Sequence, residues 1–228
     1  MNYNPKVMRL ESVETIAVRA DALESAFVKI DTDTGLTGWG EVQAPRVPAA
    51  ACEIVHALLR PVLEGVEFHG KLQEIAQLRE KMRAMETEAA SGVELALWDL
   101  AGKLNDRPVC RLISAMPCRN QVPAFDRSRS PGKTVDARRL TDIIGTLKAP
   151  VAIRVGVSLG PLLAAAIQFA ATLPEGSAVE YDPAVVEAAG RLTGFSPPRE
   201  GKYAVSRLPG LGIEVDEPEL RLMEQRSR

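Results

Sequence analysis

The chain has 228 residues and a formal net charge of −2, from 28 Lys plus Arg against 30 Asp plus Glu. Charged residues make up 25% and hydrophobic ones 46%, an ordinary globular composition that excludes wholesale disorder. The missing basic excess excludes a nucleic-acid binder that lives on phosphate contacts, and the length allows one large domain or two small ones.

In chain order, Met8 to Val18 reads as a strand, with Ile16 and Val18 on one face. Ala26 to Asp31 is a second strand, in which Val28 and Ile30 alternate with Lys29. Asp31-Thr-Asp-Thr-Gly35 is a turn, and Leu36 to Val42 returns as a third strand. Three helices follow. Ala49 to Leu63 carries Ile54, Val55, Leu58, Leu59 and Val62 as its stripe, with Pro61 disturbing the last turn. Leu72 to Met85 carries Leu72, Ile75, Leu78, Met82 and Met85, and Thr87 to Leu104 carries Val93, Leu97, Leu100, Ala101 and Leu104. Strands followed by a run of helices define an α+β unit.

Beyond Pro117 the pattern changes. Val122 to Asp126 reads as a strand, Thr134 to Lys148 as a helix, Val151 to Val157 as a strand, Leu162 to Leu173 as a nearly all-apolar helix, and Ala178 to Tyr181 as a last strand. That β-α-β-α-β order predicts a small parallel sheet. From Asp182 the composition is polar and turn-rich. Pro161 to Leu173, the longest apolar run, is too short to span a bilayer, and no apolar run follows the basic residues of the first ten positions. Cys52, Cys110 and Cys118 are odd in number and widely spaced, so they are expected as three reduced thiols of a cytoplasmic protein.

Thr32 to Glu41 (TDTGLTGWGE), Ala90 to Ile113 (ASGVELALWDLAGKLNDRPVCRLI) and Leu208 to Leu220 (LPGLGIEVDEPEL) resemble the enolase superfamily in its mandelate racemase/muconate lactonizing enzyme branch. Arg119 to Asp126 resembles the entry into that family's first barrel strand, and Val151 to Tyr181 its last barrel units. The resemblance implies an α+β capping domain on a modified (β/α)8 barrel. It also implies magnesium held by carboxylates on three middle strands, with lysines (often K-x-K) or a late histidine as bases that form a stabilised enolate.

The sequence departs from that family where its chemistry resides. A (β/α)8 barrel takes about 200 residues or more, whereas Val122 to Asp182 is 61 residues. No K-x-K is present, and both histidines, His56 and His69, lie in the first half. The acids of the remnant, Asp126, Asp136, Asp142, Glu175, Glu180 and Asp182, form no visible three-carboxylate cluster. The expected fold is therefore a capping domain over 1–117, a truncated β/α barrel remnant over 118–182 and a tail over 183–228 packing back on the cap.

Arg154 carries the remaining candidate chemistry. In Val151-Ala-Ile-Arg-Val-Gly-Val157 the branched residues share one face and Arg154 points to the other, where Asp126, Glu180 or a bound anion would serve as acceptor. An ion pair with one of those acids is the favoured reading, and a ligand site of Arg154, Asp126 and Glu180 is the alternative. Trp39 is expected as a core aromatic, Glu41 as a surface or capping charge beside Arg46, Asp99 as a polar-face residue and Arg138-Arg139 as a solvated helix face.

The expected function is that of a non-catalytic homologue, a pseudoenzyme with no catalytic residue, metal ligand or cofactor, binding a partner or small acid as a homodimer. The alternative is a divergent magnesium-dependent lyase or isomerase of carboxylates (acid-sugar dehydratase, racemase or cycloisomerase) with a site assembled between chains. A full-length barrel relative is a third possible partner; nucleic acid and membrane are not expected.

Overall fold

The computed structural model describes residues 7–20, 23–42, 48–84, 88–129, 132–139 and 146–227. The first unit is a four-stranded antiparallel sheet of order β3-β2-β1-β4, built from β1 (Met8–Ala20), β2 (Leu23–Thr32), β3 (Thr37–Val42) and β4 (Glu67–Phe68). The three-strand meander follows the alternation in the sequence; in its register Lys29 stands opposite Glu14 on one side and Trp39 on the other. The Asp33-Thr-Gly35 turn closes as expected, with Gly35 at φ 78°.

Helical chain then covers one face of this sheet. α1 (Pro48–Ile54) runs into a π-helical turn, Val55–Leu59, and on into α2 (Arg60–Leu63). The wider π turn advances the buried face, so Val55, Leu59 and Leu63 are buried while Leu58, expected on the stripe, is 42% exposed. α3 (Leu72–Arg83) buries Ile75, Leu78 and Met82, and the Glu74 side chain reaches back to the Lys71 N–H at 3.1 Å to cap its start. α4 (Glu88–Leu104) is buried almost all round, because the sheet, α3 and the second unit enclose it. Its approach to β3 depends on paired glycines: a Cβ at Gly40 would lie 2.0 Å from the Gly92 carbonyl oxygen.

After the short α5 (Val109–Ile113) comes a five-stranded sheet of order β6-β7-β8-β5-β9. Its strands are β5 (Gln121–Asp126), β6 (Thr134–Asp136), β7 (Ala152–Arg154), β8 (Ala178–Tyr181) and β9 (Lys202–Ala204). The first four are parallel, as the β-α-β order demands, and β9 joins β5 antiparallel. α6 (Pro161–Ala170) is buried along its whole length, as its apolar sequence requires.

Two expectations need correction. Thr134–Asp136 is a strand rather than the start of a helix, because it completes the parallel ladder beside Ala152–Arg154, and a 3-10 turn, Ala137–Arg139, follows it. Of the apolar stripe of that expected helix, Leu140, Ile143 and Ile144 lie outside the described residues, and Leu147 packs against the core from non-helical chain. The polar tail contains two helices, α7 (Pro183–Thr193) and α8 (Glu217–Ser227). α7 starts where the Asp182 carboxylate accepts from the Ala184 N–H at 2.9 Å and Pro183 takes the first helical position; it stops at Gly194, φ 63°. The second apolar cluster draws Ile16, Val18, Phe27 and Trp39 of the meander together with Leu192 of α7 and Leu220 of α8.

Two buried acids join the units. Glu41, expected as a surface or capping charge, is not at the surface: it is 1% exposed and accepts from Ser25 Oγ (2.7 Å), Ser158 Oγ (2.7 Å), Leu159 N (2.6 Å) and Leu162 N (3.0 Å). It thereby caps the start of α6 from the neighbouring unit. Asp99, expected on a polar face, is fully buried between the Trp39 N–H (2.9 Å), the Leu211 N–H (2.8 Å) and Lys103 Nζ (2.6 Å). Burial raises the pKa of both carboxyls; the donors around Glu41, and Lys103 beside Asp99, partly counter it.

Candidate active-site cleft

The carboxyl ends of the parallel strands open into a cleft of about 630 Å³, lined by side chains that follow β5, β6, β7 and β8 and by Leu23 of the first unit. Ligand sites of parallel α/β sheets lie at this end, where loops rather than ladder bonds occupy the space. Arg154, at the end of β7, lines the cleft and is exposed. Neither acid expected to pair with it does so. Asp126, at the end of β5, turns onto its own loop and accepts from the Ser128 N–H and Oγ, both at 2.7 Å. Glu180, on β8, is 4% exposed; its Oε2 accepts from the Val155 and Gly156 N–H groups at 2.8 and 2.9 Å, and its Oε1 faces Arg127 Nε at 3.3 Å. Those two N–H groups lie just past the β7 ladder, so Glu180 satisfies the exit of the strand that bears Arg154 and leaves the guanidinium to the cleft. Among the described residues no hydrogen-bond acceptor or ion-pair partner meets Arg154.

Other cleft residues escaped the sequence reading. Arg127 follows β5 directly and reaches inward to Glu180. Arg138, expected on a solvated helix face, grips Asp136 through Nε (3.0 Å) and Nη2 (2.7 Å). The spacing Asp136-x-Arg138 was a signal for this pair, hidden by the assignment of that segment to a helix. Asp182 also lines the cleft, with its carboxylate turned to the start of α7. Three guanidinium groups thus meet here, while each nearby carboxylate is held by backbone N–H groups or by an arginine.

A magnesium ion needs several carboxylate oxygens that converge on one point and are free to bind it. Asp126, Asp136, Glu180 and Asp182 each direct their oxygens elsewhere, and among the described residues no group of three His, Cys, Asp or Glu side chains could hold a metal ion. The described residues of the cleft do not fit the ion. The histidines stand apart: His56 Nε2 meets Thr15 Oγ1 at 2.8 Å and His69 Nδ1 meets Glu74 Oε1 at 2.8 Å. Trp39 is a core aromatic, edge-on to Phe27; Arg46 lies outside the described residues. A smaller hollow of about 230 Å³ between α6 and the loop after β9 has no charged side chain in its lining. No helix among the described residues is long and apolar enough to cross a membrane.

Comparison with known proteins agrees with this fold. The chain matches the family model "Mandelate racemase / muconate lactonizing enzyme, N-terminal domain" over residues 5–114 and "Enolase C-terminal domain-like" over 126–219. It is 27% identical over 125 residues to an arabinonate dehydratase of Saccharolobus solfataricus, covering 53% of this chain and 33% of that protein. It is 31% identical over 130 residues to a D-galactonate dehydratase of Verminephrobacter eiseniae, covering 55% and 31%. The chain thus spans about a third of the length of the curated relatives it matches. A mandelate racemase/muconate lactonizing protein from Paracoccus denitrificans, solved with magnesium, superimposes with a TM-score of 0.72 at 17% identity, covering 95% of this chain and 98% of that one. A muconate cycloisomerase from Azorhizobium caulinodans gives a TM-score of 0.67 at 17% identity, covering 96% and 99%. With both of its units matched in order by the two halves of one family, this short chain belongs to the enolase superfamily, in its mandelate racemase/muconate lactonizing enzyme branch.

Proposed function

We propose that this chain is a non-catalytic member of its superfamily that binds a small organic acid in the cleft, with Arg154 as the principal contact. The observation that carries this reading is the imbalance at the strand ends: the acids are already engaged and the Arg154 guanidinium is not. A free guanidinium in a concave site recognises a carboxylate through two parallel hydrogen bonds. Asp126 and Glu180 then serve as supports rather than direct contacts, Glu180 by bonding to the backbone just past Arg154 and Asp126 by ordering the turn that carries Arg127. The acid-sugar dehydratases among the relatives make aldonates the first ligands to try.

The experiment is a calorimetric titration with galactonate and arabinonate, run with magnesium and again with a chelator. Saturable binding that the chelator leaves unchanged, without release of a keto product, is the expected result. Magnesium-dependent turnover overturns it and establishes the second reading, a lyase or isomerase whose metal ligands are assembled between chains. The names of the dehydratase relatives, and the magnesium of the Paracoccus structure, favour that second reading.

Self-association belongs to the same proposal. β6 pairs only with β7 among the described residues, which leaves its other edge to be covered. A homodimer provides that cover most simply, and a full-length barrel relative is the other candidate partner. Light scattering at micromolar concentration should give twice the chain mass of 24.6 kDa; the monomer mass refutes the dimer.

A further inference from the structure

A second concave site shares no lining residue with the strand-end cleft. It is an open hollow of about 260 Å³, walled by the start of α5, by residues 118–120 and by the loop that follows β9. Its charged side chains are Arg111, Arg119 and Arg207, and no carboxylate lines it. Glu175, whose charge acts on Arg119, stands outside the lining. Cys110 and Cys118, both free thiols, are part of the wall. The cleft differs in kind, since Asp136 and Asp182 stand there among the arginines.

The three guanidinium groups are held to different degrees. Arg119 is half-buried, with Nη2 donating to the Ala170 carbonyl and Nη1 to the Ser177 carbonyl at 3.5 Å. Its Nε is buried without a hydrogen-bond partner among the described residues. Arg119 thus brings charge to the hollow with most of its donors committed. Arg207 is exposed, and its Nη2 donates to Asn120 Oδ1 at 3.1 Å, which leaves the rest of the fork open. The loop that carries it is pinned: the Val205 N–H bonds the Asn120 carbonyl at 2.9 Å, and the Ser206 carbonyl accepts from Gln168 Nε2 at 3.1 Å. Arg111 is exposed, and among the described residues no acceptor or ion-pair partner meets its guanidinium. Three like charges on one wall repel one another, and an anion seated among them turns that repulsion into attraction.

We infer that this hollow binds the phosphoryl group of a small phosphate ester, with Arg111 and Arg207 as its direct contacts. A carboxylate offers one planar edge, which a single guanidinium fork fills. A phosphoryl group carries about −1.5 to −2 charge and three acceptor oxygens, which suit forks from two separate segments and a third charge beside them. It takes roughly the space of three waters, about 90 Å³. The remaining room holds a small organic part against the apolar Pro108 and Val205. Arg111 belongs to the first matched half of the chain and Arg207 to the second, so the bound group ties the two together.

The test titrates the chain with glycerol phosphate, inorganic phosphate, sulfate and acetate in turn, at constant ionic strength, by calorimetry and by backbone amide NMR shifts. Glycerol phosphate should bind saturably at one site, inorganic phosphate more weakly, and sulfate should compete while acetate does not. Arg111→Ala and Arg207→Ala should each weaken binding about tenfold or more. Arg207→Lys, which keeps the charge and loses the fork, should weaken it about threefold or more. Arg154→Ala should leave the phosphate affinity as it was, which separates this site from the cleft. Absence of saturable binding, acetate binding as tight as that of phosphate, or a loss that follows Arg154 rather than Arg111 and Arg207 overturns the inference. Equal affinity for inorganic phosphate and the ester overturns the ester assignment. In the wild-type chain the shifts should centre on residues 108–111, 118–120 and 205–207; shifts centred on the cleft overturn the site, and that map does not depend on how any variant folds.

Discussion

Glu41 offers the sharpest test of how the two units are held together. Its two oxygens take four donors, two of them backbone N–H groups of the α6 start. Glu41→Gln keeps the shape and removes one acceptor. In one orientation the amide NH2 faces the Leu159 N–H, in the other the Leu162 N–H, so one backbone donor is left buried without a partner. That omission costs about 1–3 kcal/mol, and the surviving bonds fall from charge-assisted to neutral strength, a further loss of about 1 kcal/mol each. Removing a charge that burial disfavours returns part of this sum. The net expectation at pH 7 is a loss of about 2–3 kcal/mol. Urea unfolding followed by the fluorescence of Trp39 and Trp98 measures it, with an unchanged slope marking a native fold. Glu80→Gln, whose parent side chain is 73% exposed, serves as control and should stay within about 0.5 kcal/mol. If the two variants behave alike, Glu41 does not hold the units together and the reasoning fails.

The cost of Glu41→Gln should also depend on pH in the direction opposite to that of an ordinary salt-bridged acid. A carboxyl whose native pKa lies above its unfolded value binds more protons when folded, so its contribution is fully present below about pH 4.5 and fades as pH rises through the native value. The wild-type advantage over the variant is therefore expected to shrink between pH 5 and pH 8, and growth over that interval refutes the assignment. Gly40→Ala should destabilise by about 3 kcal/mol or abolish soluble expression, because its methyl group would run into the Gly92 carbonyl and the Ala96 N–H, both backbone atoms; a melting curve near wild type counts against the close packing of β3 on α4. Arg154→Ala should leave unfolding within about 0.5 kcal/mol of wild type, yet weaken aldonate binding about tenfold or more in the calorimeter. Binding that survives the change moves the ligand elsewhere.

Local pattern carried much of the architecture. The alternation of Val28 and Ile30 with Lys29 matches a strand that buries the two branched residues and leaves Lys29 half-buried, and the apolar run of α6 permits nothing but a buried helix. α7 was legible too: Asp182-Pro183 at its start, Val185, Val186, Ala189 and Leu192 along it and Gly194 after it are ordinary helix signals, overlooked within a polar stretch. β6 was not legible, since three residues are too few to show a period of two against one of 3.6. The site was harder still. Arg154 could be found because its strand alternates, but the partners of Glu41 lie more than a hundred residues away, with only Ser25 close, and no spacing rule reaches that far.

The position of α8 has a consequence for biosynthesis. Ile16, Val18, Phe27 and Trp39 leave the ribosome as the outer face of the meander well before Leu220, which seats on them, is made. The ion pairs that fasten the helix, Lys29 with Glu217 and Arg221 with Glu14, close equally late. Until α8 has been made the nascent sheet therefore presents an aromatic, β-branched stripe to its surroundings, the kind of surface that holdase chaperones grip and that drives aggregation in their absence. Ordered release of that stripe to the arriving α8 makes the yield of native protein sensitive to chaperone supply, even though the folded molecule buries the stripe.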